Sequence, residues 1–134
     1  MRKVLLFTAV VELGTGAALI ADPGIVVRLL LGADLAGVGV VAARCFGVAL
    51  VALAVACWPA PSPAAGGRAG FRGMLAYNAL IALYLVELGT VGRMTGTLLW
   101  PAAILHAVAA LALAWTGRSP RTSRRRPDLP LPPS

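Results

Sequence analysis

The chain has few of the residues from which soluble active sites are built. Among 134 positions there are five acidic residues, one histidine and two cysteines, and only 13% of the chain is charged. A single histidine and two cysteines do not supply the four ligands of a structural zinc site. Cys45 and Cys57 lie twelve positions apart on one apolar run, roughly 18 Å along a helix axis, so they cannot bridge each other and read as small apolar residues. No glycine-rich phosphate loop is present, because Gly14-Thr15-Gly16 sits inside an apolar run and lacks the strand and lysine of a nucleotide site. Aromatic residues make up 6% and do not alternate with basic ones, so the net charge of +7 does not describe a nucleic-acid surface. Nothing in the residue inventory calls for a cofactor or a metal.

What the chain does have is apolar length. It is 59% hydrophobic with a mean hydropathy of +0.85, where an ordinary soluble domain is about 45–50% apolar and about 25% charged. The pattern predicts an all-α integral membrane four-helix bundle with spans at about 4–21, 35–58, 74–92 and 98–115. A basic start and small residues at Gly16-Ala17-Ala18 also fit a signal peptide, but signal cores seldom carry a glutamate such as Glu12, which favours a retained span. After Asp22-Pro23-Gly24, the stretch from Ile25 to Leu31 is too short to span. Asp22 as cap and Pro23 in the first turn predict an interfacial half-helix with Ile25, Val26, Leu29 and Leu30 on one face.

Residues 60–73, rich in proline, glycine and alanine and carrying Arg68 and Arg72, read as a solvent-facing linker. Residues 1–116 form the membrane domain. Residues 117–134, with five arginines and then Pro127, Pro130, Pro132 and Pro133, read as a disordered basic tail resting on anionic lipid headgroups.

Charge sets the orientation. With four spans, nine of the twelve Lys and Arg residues fall on one side, against Arg28 and Arg93 on the other, which predicts an inner (plasma) membrane protein with both termini cytoplasmic. Trp58, Trp100 and Trp115 stand at predicted span ends, where an interfacial aromatic belt belongs.

The chemistry available to this chain lies in four ionisable residues, one per span: Glu12, Arg44, Glu87 and His106. Buried charge is costly in a bilayer and needs a partner. Counted from the outer span ends, these groups fall within roughly 7 to 13 Å of depth, so they are expected to share one polar layer. Tyr77 and Tyr84 share a face with Glu87, and Asn78 is next to it, which completes the candidate set. Glu12 is expected to pair with Arg44, and Glu87 with His106 and Tyr84. The layer then reads either as a ligand pocket open to the outer side or as a structural ion cluster that sets helix register.

The sequence around Glu12 recurs. Val11-Glu12-Leu13-Gly14-Thr15 returns as Val86-Glu87-Leu88-Gly89-Thr90, and Ala52-Leu53-Ala54 as Ala112-Leu113-Ala114, which predicts a 2+2 parallel internal repeat. The order of a Glu12-bearing span, the segment 23–32 ending Arg-Leu-Leu-Leu-Gly, the Ala43-Arg44 step, Met74-Leu75-Ala76-Tyr77-Asn78 and Leu99-Trp100-Pro101-Ala102 resembles small uncharacterised four-helix membrane proteins of bacteria, a domain of unknown function. The resemblance covers residues 1 to about 116. It implies a fold and a membrane location, and it carries no activity.

Three classes of function fit these residues. The first is a non-enzymatic ligand-binding or accessory unit with a buried polar layer, taking a lipophilic small molecule. The second is a membrane enzyme acting on a lipophilic substrate with a Glu/His acid–base pair. The third is a proton-coupled carrier, which four short helices could form only as a homo-oligomer.

Overall fold

The computed structural model describes residues 2–59 and 66–118. These residues are all-helical, without strands: α1 is Arg2–Ala21, α2 Pro23–Leu31, α3 Val38–Ala56, α4 Gly66–Thr90 and α5 Leu99–Arg118. Four of the five, α2 excepted, are long and apolar enough to cross a membrane. Their outward surfaces are apolar too, with Phe7, Val41, Val48, Leu80, Leu83, Ile104 and Leu111 all exposed.

Three helix boundaries lie three or more residues from expectation, one of them the end of α5, which runs to Arg118, past the predicted 115 and into the expected tail. α3 begins at Val38 rather than near Leu35, because Gly37 takes φ 56 and ψ −129, a backbone conformation open to glycine that turns the chain into the helix. α4 begins at Gly66, eight residues ahead of the predicted 74, so residues 66–73 are helix where a linker was expected. Tertiary packing outweighs their poor helix propensity. Phe71 packs into the core, and Gly70 lies against the Ala56 carbonyl and Cys57, whose Sγ donates to the Gly70 carbonyl oxygen at 3.2 Å. Arg68 and Arg72 stay exposed. The proline-rich part of the expected linker, residues 60–65, and the expected tail from 119 onward lie outside the described residues.

The helices associate as two pairs, α1 with α3 and α4 with α5. In a bilayer, where lipid tails are as apolar as leucine, hydrophobicity would not drive this pairing and close backbone approach would. α1 and α3 cross at Gly16 and Gly47, where a Cβ built on Gly16 would stand 2.7 Å from the Gly47 carbonyl oxygen and one on Gly47 would stand 2.8 Å from the Gly16 oxygen. In the other pair Gly89 lies against the Trp100 ring and Leu99. All four long helices meet at one end in a cluster of Ala9, Ala54, Cys57, Met74 and Leu113.

At the opposite end α2 folds over the second pair. Asp22 caps it by accepting from the Ile25 N–H at 3.0 Å, and Gly32 closes it in the left-handed conformation, φ 73. Carbonyls left over at the α2 terminus are taken by the α4–α5 connection: the Leu98 N–H donates to the Leu29 oxygen at 2.8 Å and the Thr95 N–H to the Leu31 oxygen at 3.3 Å. Leu30 and Leu31 then pack with Met94 and Leu88 on a second cluster of Leu85, Leu99 and Ala103. The packed face of α2 is thus Val26, Val27, Leu30 and Leu31; Ile25 and Leu29, expected on that face, are exposed. Docking onto the connection, rather than the amphipathic stripe alone, decides the phase.

Candidate functional site

Between the two clusters lies the polar level. Thr8 and Glu12 reach it from α1, Tyr77 and Asn78 from α4, and His106 from α5. Thr8, Glu12 and Asn78 are the buried polar side chains of the core, each no more than 2% exposed. Their four-residue spacing on α1 puts Thr8 and Glu12 on one face. Thr8 satisfies its own hydroxyl by donating to the Val4 and Leu5 carbonyls.

The hydrogen bonds here run in one direction. Asn78 Nδ2 donates to the Met74 carbonyl oxygen at 2.9 Å, an atom that only accepts, so Oδ1 is the amide atom turned to His106. His106 Nδ1 stands 2.9 Å from Asn78 Oδ1 and must be the donor, which fixes a proton on Nδ1. The Tyr77 ring meets the imidazole edge-on at 5.8 Å between centroids and 81° between planes. Both His106 and Asn78 are therefore used before Glu12 is reached.

Glu12 is the exception. Its side chain is 1% exposed and neither Oε1 nor Oε2 has a partner at full hydrogen-bond geometry, although the Tyr77 hydroxyl faces the carboxyl from α4. The closest cationic candidate is His106 Nδ1, 3.7 Å from Oε1, too long for a hydrogen bond and already directed at Asn78. A carboxyl with two bare oxygens away from water is costly unless a proton or a ligand completes it. Above and below it are the two apolar clusters. The space beside it is a crevice lined by Phe7, Thr8, Val11, Glu12, Asn78, Leu105, His106 and Ala109, too narrow to admit a water molecule. With Phe7 and Leu105 exposed at its rim, it opens sideways between α1 and α5.

Of the seven candidates, Glu12, Tyr77, Asn78 and His106 come together. Arg44, Glu87 and Tyr84 do not: all three are exposed, and the expected Glu12–Arg44 pair is absent, as is a partnership of Glu87 with His106 or Tyr84. Helix phase is the reason. On α3 it is Gly47, Leu50 and Ala54 that face the neighbours, leaving Arg44 to the side. On α4 the buried line is Met74, Asn78, Ala82 and Leu85; Glu87, two residues on, is turned roughly 200° round the helix and points outward. The end of the bundle expected to open outward is no entrance either, because α2 and the α4–α5 connection pack over it. Thr8 was missed by sequence reasoning, although its place one turn before Glu12 was the available signal. Among the described residues no group of three or more His, Cys, Asp or Glu side chains is placed to hold a metal ion.

No protein-family model, curated protein or solved structure matches the chain.

Proposed function

We propose that this chain is a non-enzymatic, multi-pass protein of the inner membrane whose Glu12 level binds the polar end of a lipophilic small molecule, entering from the hydrocarbon between α1 and α5. One observation carries the reading: a fully buried carboxyl with both oxygens unpartnered, at the floor of a crevice with apolar walls that opens sideways. A hydrogen-bond donor or a cation on the ligand would supply what the protein leaves out. The crevice as it stands admits no water, so α1 and α5 part at Phe7 and Leu105 for the ligand to reach Glu12.

The membrane placement has its own supports. Trp58, Trp100 and Trp115 are exposed at helix ends, as interfacial anchors are. The distribution of Lys and Arg favours cytoplasmic termini, with α2 lying in the opposite interface. The pairing of α1 with α3 and of α4 with α5 agrees with a bundle built from two consecutive halves.

The test is photolabelling of the full chain in lipid nanodiscs with a photoreactive long-chain amine, against the corresponding alkane as control. The expected outcome is amine-selective labelling on α1 and α5 near Phe7 and Leu105, lost in Glu12→Gln at unchanged helicity. Equal labelling of wild type and Glu12→Gln would refute the reading.

A further inference from the structure

Arg44 and Glu87 remain outside the polar level, and their surroundings raise a separate question. Each stands on a helix long and apolar enough to span a membrane, on a face turned away from the rest of the chain. Neither forms an ion pair with any described residue, whereas Arg28 and Asp34, at the end of α2, pair with each other. Arg44 is flanked one turn away by exposed Val41 and Val48, and Glu87 by exposed Leu83 and Tyr84, so both charges are set in apolar surface. A charge on a lipid-facing helix is expensive, and such residues normally find an opposite charge or a polar cavity.

The two also share a level. α3 starts and α4 ends at the side of the molecule where α2 lies. Arg44 is six residues inside α3 and Glu87 three residues inside α4, about 9 Å and about 4.5 Å from those ends. The difference is within the reach of an arginine side chain. A planar guanidinium matches a carboxylate, and a two-fold arrangement of two copies would satisfy all four charges at once, where a head-to-tail contact would leave one of each bare.

We propose that the chain associates with a second copy of itself in the membrane through two symmetric Arg44–Glu87 contacts, with the valine face of α3 lying on the leucine face of α4 around them. This assembly does not depend on what Glu12 binds. The test reads association of the full chain in liposomes by subunit counting across a dilution series of protein in lipid. Wild type is expected to dimerise, and Arg44→Glu and Glu87→Arg alone each to weaken self-association at least tenfold. The two single variants mixed together are expected to form a heterodimer at wild-type strength, since each then meets its opposite charge at both contacts, and the double variant is expected to self-associate again. Recovery by mixing separates the proposal from simple misfolding, because two misfolded chains do not rescue each other. Association unchanged by either reversal, or no recovery in the mixture, or a wild-type chain that stays monomeric at every dilution, would overturn it and leave each charge reaching for the headgroups of its own copy.

Discussion

Replacing Gly16 by alanine puts two opposing effects in direct competition. Alanine in a helix interior is favoured over glycine by roughly 0.5–1 kcal/mol. At Gly16 the new methyl would stand 2.7 Å from the Gly47 carbonyl oxygen, 3.0 Å from Val51 Cγ2 and 3.1 Å from Leu50 Cβ. The closest obstacle is backbone, so α3 has to move as a unit, and overpacking of this kind costs about 1–3 kcal/mol. Overpacking outweighs the propensity gain over most of that range, for a net loss of up to roughly 2.5 kcal/mol. Gly14 is the control on the same helix: a Cβ there meets nothing within 4 Å, so Gly14→Ala keeps the propensity gain alone. Gly47→Ala meets the Gly16 oxygen at 2.8 Å and should behave like Gly16→Ala, and the two together should cost less than their sum because they open the same contact. Unfolding by stepwise addition of sodium dodecyl sulfate to mixed micelles, followed by circular dichroism, gives the ranking. Equal stability of Gly16→Ala and Gly14→Ala would mean that the α1–α3 crossing is not held by backbone contact.

Gly96→Ala should be more damaging than Gly16→Ala, since its Cβ would overlap the Leu30 backbone and release α2 from the Leu98 and Thr95 N–H groups; faster proteolysis at residues 32–37 reports it, and an unchanged cleavage rate would refute it. Asn78→Leu strips the acceptor from the partly buried His106 N–H and should cost about 1–3 kcal/mol, part of which returns when His106→Leu removes the donor as well; strictly additive losses in the same unfolding titration would show that the two do not act as a pair.

The sequence was most legible where length alone decides. An apolar run of about twenty residues is a helix in a membrane whatever its detail, so four long helices could be read directly. The start of α4 was illegible because Arg68 to Gly73 has the composition of a linker and becomes helical through contacts made by Phe71 and Gly70 with distant residues. The site was half legible for a related reason. Counting residues places a side chain in depth, which brought Glu12 and His106 to one level, but it does not say which way the helix is turned. Soluble helices reveal their phase through a polar face; helices that are apolar all round do not. Arg44 and Glu87 were therefore assigned inward simply because they are charged, while Asn78, named only as a neighbour, makes the central hydrogen bond.

The two occurrences of Val-Glu-Leu-Gly-Thr show what does set the phase. Its two threonines behave alike, Thr15 donating to the Val11 carbonyl and Thr90 to the Val86 carbonyl. Its two glutamates do not: Glu12 is buried and Glu87 exposed. The difference traces to which glycine makes the helix crossing. After the motif's own glycine the first copy has a second, Gly16, where the second copy has Val91. α1 crosses α3 at Gly16 and leaves Gly14 facing open space, whereas α4, lacking that second glycine, meets α5 at Gly89, the counterpart of Gly14. Moving the contact point by two residues turns the helix by roughly 200°. Glu12, one turn before its crossing glycine, is carried towards the neighbouring helices; Glu87, two residues before its own, is carried away from them. With the crossing at Gly16 the carboxyl is enclosed by the protein, and with the crossing at Gly89 it is exposed.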